Sequence, residues 1–130
     1  MKLTTLLVEV SAMTSIVFFK TEQLERIVEF YQGTFGASIW LEQPDCTILQ
    51  IDNQLLGFCE RDSTNTEGII TIVEPSREGV DSIYETLRDR AVSAPDENET
   101  YDIYHAYFTD PDGRHLEVQT FLHETDPVTW

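Results

Sequence analysis

The stretch DPDGRHLEVQTF, Asp110–Phe121, decides the fold that we predict for this chain of 130 residues. Its Pro, Asp and Gly residues predict a tight turn, and the residues after the turn alternate between apolar and polar, as in a strand. One face of that strand carries Leu116, Val118 and Thr120, and the other carries His115, Glu117, Gln119 and Phe121. Glu117 therefore places a carboxylate in the middle of a mixed face, between an imidazole and an amide.

Upstream of this stretch, the apolar residues of two predicted helices recur with the same amphipathic spacing. The first set is Leu24, Ile27, Val28, Tyr31 and Phe35, and the second is Val80, Ile83, Tyr84, Leu87 and Ala91. Each member of the second set follows its counterpart by 56 residues. Thr21 and Ser76 are suitable N-caps, and Gly33 or Gly36 ends the first helix. This equal spacing suggests an internal repeat.

Strands flank both helices in the same order. One strand precedes each helix, at Ser15–Lys20 and at Ile69–Val73. Three follow each helix: Ser38–Leu41, Cys46–Ile51 and Gln54–Glu60 in the first repeat, and Val92–Ala94, Ile103–Thr109 and Arg114–Phe121 in the second. The pattern βαβββ occurs twice, with a polar linker at Ser63–Gly68, and predicts an α+β fold whose halves pair around a concavity.

This organisation predicts a single domain over residues 13–125, with module one at about 13–62 and module two at about 68–122. Residues 1–12 then form an N-terminal extension and residues 126–130 a tail. No stretch is long enough to span a bilayer, and the start is unlike a signal peptide, so we predict a cytoplasmic protein. In that compartment Cys46 and Cys59 are free thiols, although a two-residue turn at Asp52-Asn53 places them opposite each other.

The charge balance restricts the partners. The chain has 24 acidic and 8 basic residues and a net charge of −16. Such a surface repels phosphate backbones and anionic lipids, so we expect neither nucleic acid nor a membrane as partner. The acids are spread along the chain, as in halophilic proteins with a solvated acidic surface. A face that docks a basic partner is the alternative.

Together, the paired modules, EFYQGTFG (Glu29–Gly36) and FTDPDGRHLEVQ (Phe108–Gln119) resemble the vicinal oxygen chelate superfamily. That group contains glyoxalase I, bleomycin- and fosfomycin-resistance proteins and extradiol dioxygenases. The similarity covers roughly residues 15–121. It implies a curved mixed sheet around a cup, a small-molecule ligand in that cup, and a homodimer.

In metal-dependent members of this superfamily, four strand residues bind one divalent ion. The resemblance places those positions at Ile16, Gly57, Ile69 and Glu117. Only Glu117 carries a donor atom, so we expect no standard metal site and no cofactor. A divalent metal at a relocated site stays possible, and the candidate ligands for zinc are Cys46, Cys59, His115 and Glu117.

The resemblance and the strand alternation also give the residues that face the cup. They are Ile16, Phe18, Gly57, Cys59, Ile69, Thr71, His105, Tyr107 and Gln119. Glu117 and His115 lie about 7 Å apart on one strand face and form a candidate acid/base pair. Alternatively, Glu117 is hydrogen-bonded to Tyr107 or Gln119 and lines a polar cavity. Phe18 and Trp40 are either walls of the ligand site or apolar core.

Three functions follow from these residues. We favour a glyoxalase/bleomycin resistance-like protein that binds a small organic molecule in the cup without the standard metal. The first alternative is an enzyme of the lyase, isomerase or dioxygenase kind, which uses a relocated metal or Glu117 as acid/base. The second alternative is an acidic subunit that docks a basic protein.

Overall fold

The computed structural model of the chain describes residues 14–128. Its elements are β1 (Ile16–Thr21), α1 (Leu24–Phe35), β2 (Ser38–Gln43), β3 (Cys46–Ile51), β4 (Gln54–Glu60), β5 (Ile69–Val73), α2 (Arg77–Thr86), β6 (Asp96–Asn98), β7 (Ile103–Thr109) and β8 (His115–Phe121). The predicted order βαβββ, repeated twice, is confirmed. The predicted extension 1–12 lies outside the described residues, as do the last two residues of the predicted tail 126–130.

Each module forms one four-stranded mixed sheet. The strand orders are β1-β4-β3-β2 and β5-β8-β7-β6. The parallel pairs are β1 with β4 and β5 with β8. The other neighbouring strands in both sheets are antiparallel. The turn at Asp52 sets the register of β3 and β4, so that Cys46 lies opposite Cys59 as predicted. The predicted α+β architecture is therefore confirmed, with β4 and β8 occupying equivalent inner positions of the two sheets.

Several element boundaries differ from the predicted ones. Val92–Ala94 is not a strand, because only Ala91 bridges Phe108 there, and the edge strand is Asp96–Asn98 instead. Thr21 is not the N-cap of α1; it ends β1, and its hydroxyl accepts a hydrogen bond from the backbone N–H of Gln23. The predicted Ser76 cap is confirmed, since its side chain accepts from the N–H of Gly79.

The helix ends follow from backbone geometry. Gly36 ends α1 in the left-handed conformation, with φ of 68°, which glycine adopts without strain. The second helix ends earlier than the apolar spacing predicts, because a 3-10 turn at Arg88–Arg90 replaces its last turn. Leu87 is nevertheless buried, so the apolar spacing predicted burial correctly beyond the helix itself.

Within residues 14–128, one apolar core joins the two modules. It contains Ile27, Tyr31 and Phe58 from the first module and Val80, Phe108 and Val118 from the second. The rings of Tyr31 and Phe58 are stacked, with centroids 5.3 Å apart. Because both sheets bury one face in this cluster, neither module has a complete core of its own.

The DPDGR turn ties the modules together through a buried polar network. Arg114 is fully buried, and its guanidinium donates to Asp110 Oδ2 at 2.8 Å. It also donates to the carbonyls of Asn65 at 2.9 Å and Lys20 at 3.2 Å, both outside the second module's sheet. Tyr31 Oη–H on α1 donates to the same Asp110 oxygen at 2.7 Å. This network explains the turn sequence structurally, because charged groups are buried at low cost only when they are paired and hydrogen-bonded.

Candidate functional site

The carboxylate of Glu117 lies buried in the middle of the second sheet. Strand β8 is flanked by β5 and β7, and Glu117 is 7% exposed. Its Oε1 accepts a hydrogen bond from Thr71 Oγ1 at 2.9 Å, and its Oε2 lies 2.7 Å from His105 Nδ1. With Glu117 ionised, Nδ1 must carry the hydrogen, because a carboxylate can only accept. Both carboxylate oxygens are thus engaged by neighbouring strands.

The residue in direct contact with Glu117 is His105, whereas the candidate acid/base pair of Glu117 with His115 stays a prediction. His115 shares the strand face with Glu117, but it is the first residue of β8 and is exposed. His105 reaches Glu117 diagonally across β7 and β8, where Tyr107 is the directly opposite residue. The predicted hydrogen bonds of Glu117 to Tyr107 or Gln119 are also not formed; Thr71 and His105 take both oxygens. Next-but-one spacing along one strand suggested His115, whereas the cross-strand diagonal brings His105 closer.

A cavity of about 340 Å³ opens beside Glu117 on the concave face of the second module. The side chains that line it are those of Asn98, Tyr101, Ile103, Tyr107, Glu117, Gln119 and Phe121. The pKa of Tyr107 is raised by burial and by the negative charge of Glu117, so its phenol keeps its proton and can donate to a ligand. The cavity therefore combines aromatic walls with one carboxylate, two amides and two phenols.

The first module contributes an apolar wall to the concave side. The ring of Phe18 lies over Gly57, and a Cβ at Gly57 would overlap that ring. Phe18 is 50% exposed and Trp40, in an irregular part of the edge strand β2, is 47% exposed. The interpretation of these two side chains as core is therefore wrong. Phe18 covers the position from which a metal-binding side chain would project in the resembling family.

Cys46 and Cys59 form a disulfide between β3 and β4, so the prediction of free thiols is wrong. Their Cα atoms lie 4.0 Å apart because the hairpin register places them directly opposite each other. The sequence argument inferred reduced thiols from the predicted compartment alone, and it underrated this register. The disulfide also rules out the relocated zinc site with Cys46, Cys59, His115 and Glu117, since bonded sulfurs are not thiolate ligands.

The residues at the four resembling metal positions do not fit a divalent ion. Ile16 and Ile69 have no donor atom, and Gly57 is covered by the Phe18 ring. The remaining ligand, Glu117, already has both oxygens in hydrogen bonds. Within residues 14–128 no three His, Cys, Asp or Glu side chains are grouped so that they could hold a metal.

The structure brings together only part of the predicted pocket. Five of the predicted residues lie next to one another on one face of the second sheet: Thr71, His105, Tyr107, Glu117 and Gln119. Ile16, Phe18, Gly57, Cys59 and Ile69 lie on the same concave side, but none of them lines the cavity beside Glu117. The sequence reasoning missed Asn98, Tyr101, Ile103 and Phe121 as lining residues of this cavity. Ile103 could have been found, because it continues the alternation of His105 and Tyr107, whereas the first two lie in and beside a polar turn without periodicity.

None of the helices within residues 14–128 has the length and apolar character needed to cross a membrane. No protein-family model and no curated protein matches the sequence. Solved structures do match. A glyoxalase/bleomycin resistance protein/dioxygenase family enzyme from Burkholderia phytofirmans PsJN is 20% identical, with a TM-score of 0.75 over 85% of this chain and 100% of that one.

Two further structures show the range of activities on this fold. A lactoylglutathione lyase from Agrobacterium tumefaciens is 20% identical, with a TM-score of 0.66 over 85% of this chain and 93% of that one. A fosfomycin resistance protein from Listeria monocytogenes is 19% identical, with a TM-score of 0.71 over 84% of this chain and 93% of that one. The chain therefore has the fold of the vicinal oxygen chelate proteins, as predicted, and fold alone does not assign an activity.

Proposed function

We propose that this chain binds a small organic molecule in the cavity beside Glu117, without a divalent metal. The observation that supports this proposal most directly is the contrast between two parts of the concave side. The position of the metal in the resembling family is closed by Phe18 and by the hydrogen bonds of Glu117. Next to it, a cavity of about 340 Å³ has the aromatic walls and few polar groups that are typical of small-molecule sites.

The lining residues restrict the ligand class. No Lys or Arg lines the cavity, and Glu117 adds a negative charge to a chain whose net charge is already −16. Tyr101, Tyr107 and Phe121 offer aromatic faces and edges on which a flat ligand can stack. The ligand is therefore planar, and it is neutral or cationic rather than anionic.

Three probes of nearly equal shape test this proposal: benzamidine, benzamide and benzoate, which are cationic, neutral and anionic. Amide chemical shifts in ¹⁵N-labelled protein should move for Tyr107, Glu117 and Gln119 with benzamidine, and more weakly with benzamide. Benzoate should leave them unchanged, because Glu117 repels it. The full chain is used, with each probe raised to millimolar concentration.

A matched pair of variants separates the local charge from the overall charge. Glu117→Gln should remove the preference for benzamidine over benzamide, whereas Glu67→Gln, an exposed change in the linker, should retain it. The proposal is rejected if benzoate binds as well as benzamidine, or if no probe changes the amide chemical shifts of the lining residues. Divalent Mn, Ni or Zn at millimolar concentration should raise Tm by less than about 2 °C, since binding weaker than millimolar stabilises little.

A second candidate function is metal-free acid/base chemistry on the same ligand, and the His105–Glu117 contact favours it. Glu117 fixes the imidazole through Nδ1, and His105 Nε2 makes no hydrogen bond to another residue of the described chain. A carboxylate that orients a histidine in this way is a recurrent arrangement for a general base. His105, rather than Glu117 itself, would then accept the proton.

Paired variants distinguish binding from catalysis. His105→Gln should leave probe binding within about threefold but lower any turnover of a bound substrate by about 100-fold or more. His115→Gln is the matched control, because it removes an exposed imidazole on the same strand face. Equal turnover in both variants would reject the catalytic role. The predicted homodimer and cytoplasmic location stay predictions.

A further inference from the structure

The disulfide lies on the concave face of the first module, in a row of side chains that crosses all four strands of that sheet. From β1 through β4 and β3 to β2, the row consists of Lys20, Cys59, Cys46 and Gln43. Side chains at in-register positions of neighbouring strands project from the same face of a sheet. The two sulfurs are therefore flanked by an ammonium-bearing residue on one side and an amide-bearing residue on the other.

The strands that the disulfide joins are also held together by the sheet itself. Both β3 and β4 are inner strands, and each pairs with an outer strand as well. A two-residue turn after Ile51 sets their register, and five residue pairs besides the two cysteines follow that register. The disulfide thus closes a hairpin that backbone pairing already defines. We therefore expect the chain to stay folded when the disulfide is reduced.

The two sulfur-bearing residues differ in their access to solvent. Cys59 is only 8% exposed, whereas Cys46 is half-buried and follows the exposed turn residue Asp45. In thiol–disulfide exchange, the incoming thiolate attacks the sulfur that it can reach, and the other sulfur leaves as a thiolate. This difference favours attack at Cys46 and departure of Cys59.

A cation lies beside the sulfur that would leave. Lys20 is the only lysine within residues 14–128, and it is in register with Cys59. Glu60, the next residue after Cys59, does not neutralise it, because its carboxylate accepts a hydrogen bond from the N–H of Leu24 at the start of α1. A positive charge next to a cysteine favours the thiolate. Lys20 is therefore placed to assist the departure of Cys59.

From these features we propose that Cys46–Cys59 is a redox-active disulfide, which exchanges with low-molecular-weight thiols while the chain stays folded. A thiolate bonds to Sγ of Cys46, the bond between the two cysteines breaks, and its electron pair leaves on Sγ of Cys59. A second thiolate then attacks the external sulfur of this mixed disulfide and releases Cys46 as a thiolate.

The electrons and protons of this exchange balance. Two external thiols are oxidised to one disulfide, and the protein disulfide gains two electrons. Each cysteine takes up one of the two protons that the thiols release. The sulfurs do not line the cavity beside Glu117, so this proposal and the proposed ligand binding can fail independently.

Dithiothreitol, which carries both thiols in one molecule, is the probe, and the full oxidised chain at pH 8 is the sample. Alkylation and mass spectrometry count the reduced cysteines over time. The reduction rate should be within about tenfold of the rate in the urea-unfolded chain. It should also be nearly constant at low urea concentrations, where the chain is folded. A rate that rises about tenfold per molar urea, in parallel with the unfolding constant, would mean that only the unfolded chain reacts and would overturn the proposal.

Single variants test the roles given to the two cysteines and to Lys20. The Cys46 thiol in Cys59→Ser should react with dithiodipyridine, a neutral disulfide, about tenfold faster than the Cys59 thiol in Cys46→Ser. A faster reaction at Cys59 would contradict the order of attack. Lys20→Gln should slow reduction of the wild-type disulfide about threefold, since an ion pair at an exposed position is weak. Lys20→Arg, the matched control, should retain the rate, and equal rates in both variants would refute the role of the cation.

Discussion

The hydroxyl of Tyr31 offers a quantitative test of the network that joins the modules. Tyr31→Phe keeps the ring that stacks on Phe58 and removes only the O–H that donates to Asp110 at 2.7 Å. Asp110 Oδ2 still accepts from Arg114, so no charge is left unpaired. A hydrogen bond to a charged group contributes about 1.5–3 kcal/mol, so the free energy of unfolding should fall by about 2 kcal/mol. For a domain of this size that corresponds to a Tm lower by about 6–10 °C.

The stability difference between wild type and Tyr31→Phe should also depend on pH. Burial first, and then the charge and hydrogen bond of Asp110, raise the pKa of Tyr31 far above its ordinary 10.0. A raised pKa means that the stabilisation is complete below pH 10 and is lost as the pH rises, because the unfolded chain releases the proton first. At pH 11 this release favours unfolding of the wild type by about 1.4 kcal/mol. The gap between wild type and Tyr31→Phe should therefore shrink from about 2 to about 0.6 kcal/mol.

Urea unfolding at pH 8 and pH 11, in 1 M NaCl to screen the acidic surface, measures both values. Tyr84→Phe is the matched control. Tyr84 packs on Phe108 with ring centroids 6.4 Å apart, and its hydroxyl makes no hydrogen bond to another residue of 14–128. That variant should change stability by less than about 0.5 kcal/mol. A gap for Tyr31→Phe below about 0.5 kcal/mol at pH 8 would refute the role given to the Asp110 contact. A gap that stays constant from pH 8 to pH 11 would refute the raised pKa of Tyr31.

Three other perturbations test the rest of the framework. Arg114→Met should destabilise the chain by about 3–5 kcal/mol in urea unfolding, because Asp110 and Asp112 lose their buried cation; a loss no larger than that of the exposed Arg26→Met would contradict this. Reduction of the disulfide, whose cysteines are 13 residues apart, should cost about 3 kcal/mol, measured with and without dithiothreitol. Gly57→Ala should cost about 1–3 kcal/mol through overlap with the Phe18 ring, and a double-mutant cycle should show that the cost disappears in a Phe18→Ala background.

The fold could be predicted from the sequence because its signals are local and repeated. Apolar spacing at Leu24–Phe35 and again 56 residues later specified both helices, and alternation specified β7 and β8. The edge strand β6 could not be found in this way. Its residues Asp96–Asn98 are polar, and they form a strand only because β7 supplies a partner. A strand of this kind has no alternation of apolar and polar residues by which it could be recognised.

For the candidate site, several of the side chains could be predicted, but not which of them contact each other. The family resemblance placed His105 and Tyr107 on the same face as Glu117, as the structure shows. It did not show that Glu117 would bond His105 rather than His115, because that choice depends on the diagonal geometry of two twisted strands. Arg114 was overlooked for a related reason. It follows a turn directly, where arginine is usually solvated, and its burial requires carbonyls from Lys20 and Asn65, which are distant in sequence.

The residues that differ from the metal-binding pattern depend on their neighbours and could not be replaced one at a time. Gly57 leaves room for the Phe18 ring, and that ring now makes part of the apolar wall. Glu117, without an ion to neutralise it, is stabilised by Thr71 and His105 instead. Restoring one ligand, as in Gly57→Glu, would therefore clash with Phe18 and add a second buried carboxylate near the first without binding a metal. At least Phe18, Ile16 and Ile69 would have to change with it, because a divalent ion is held only when several donors converge.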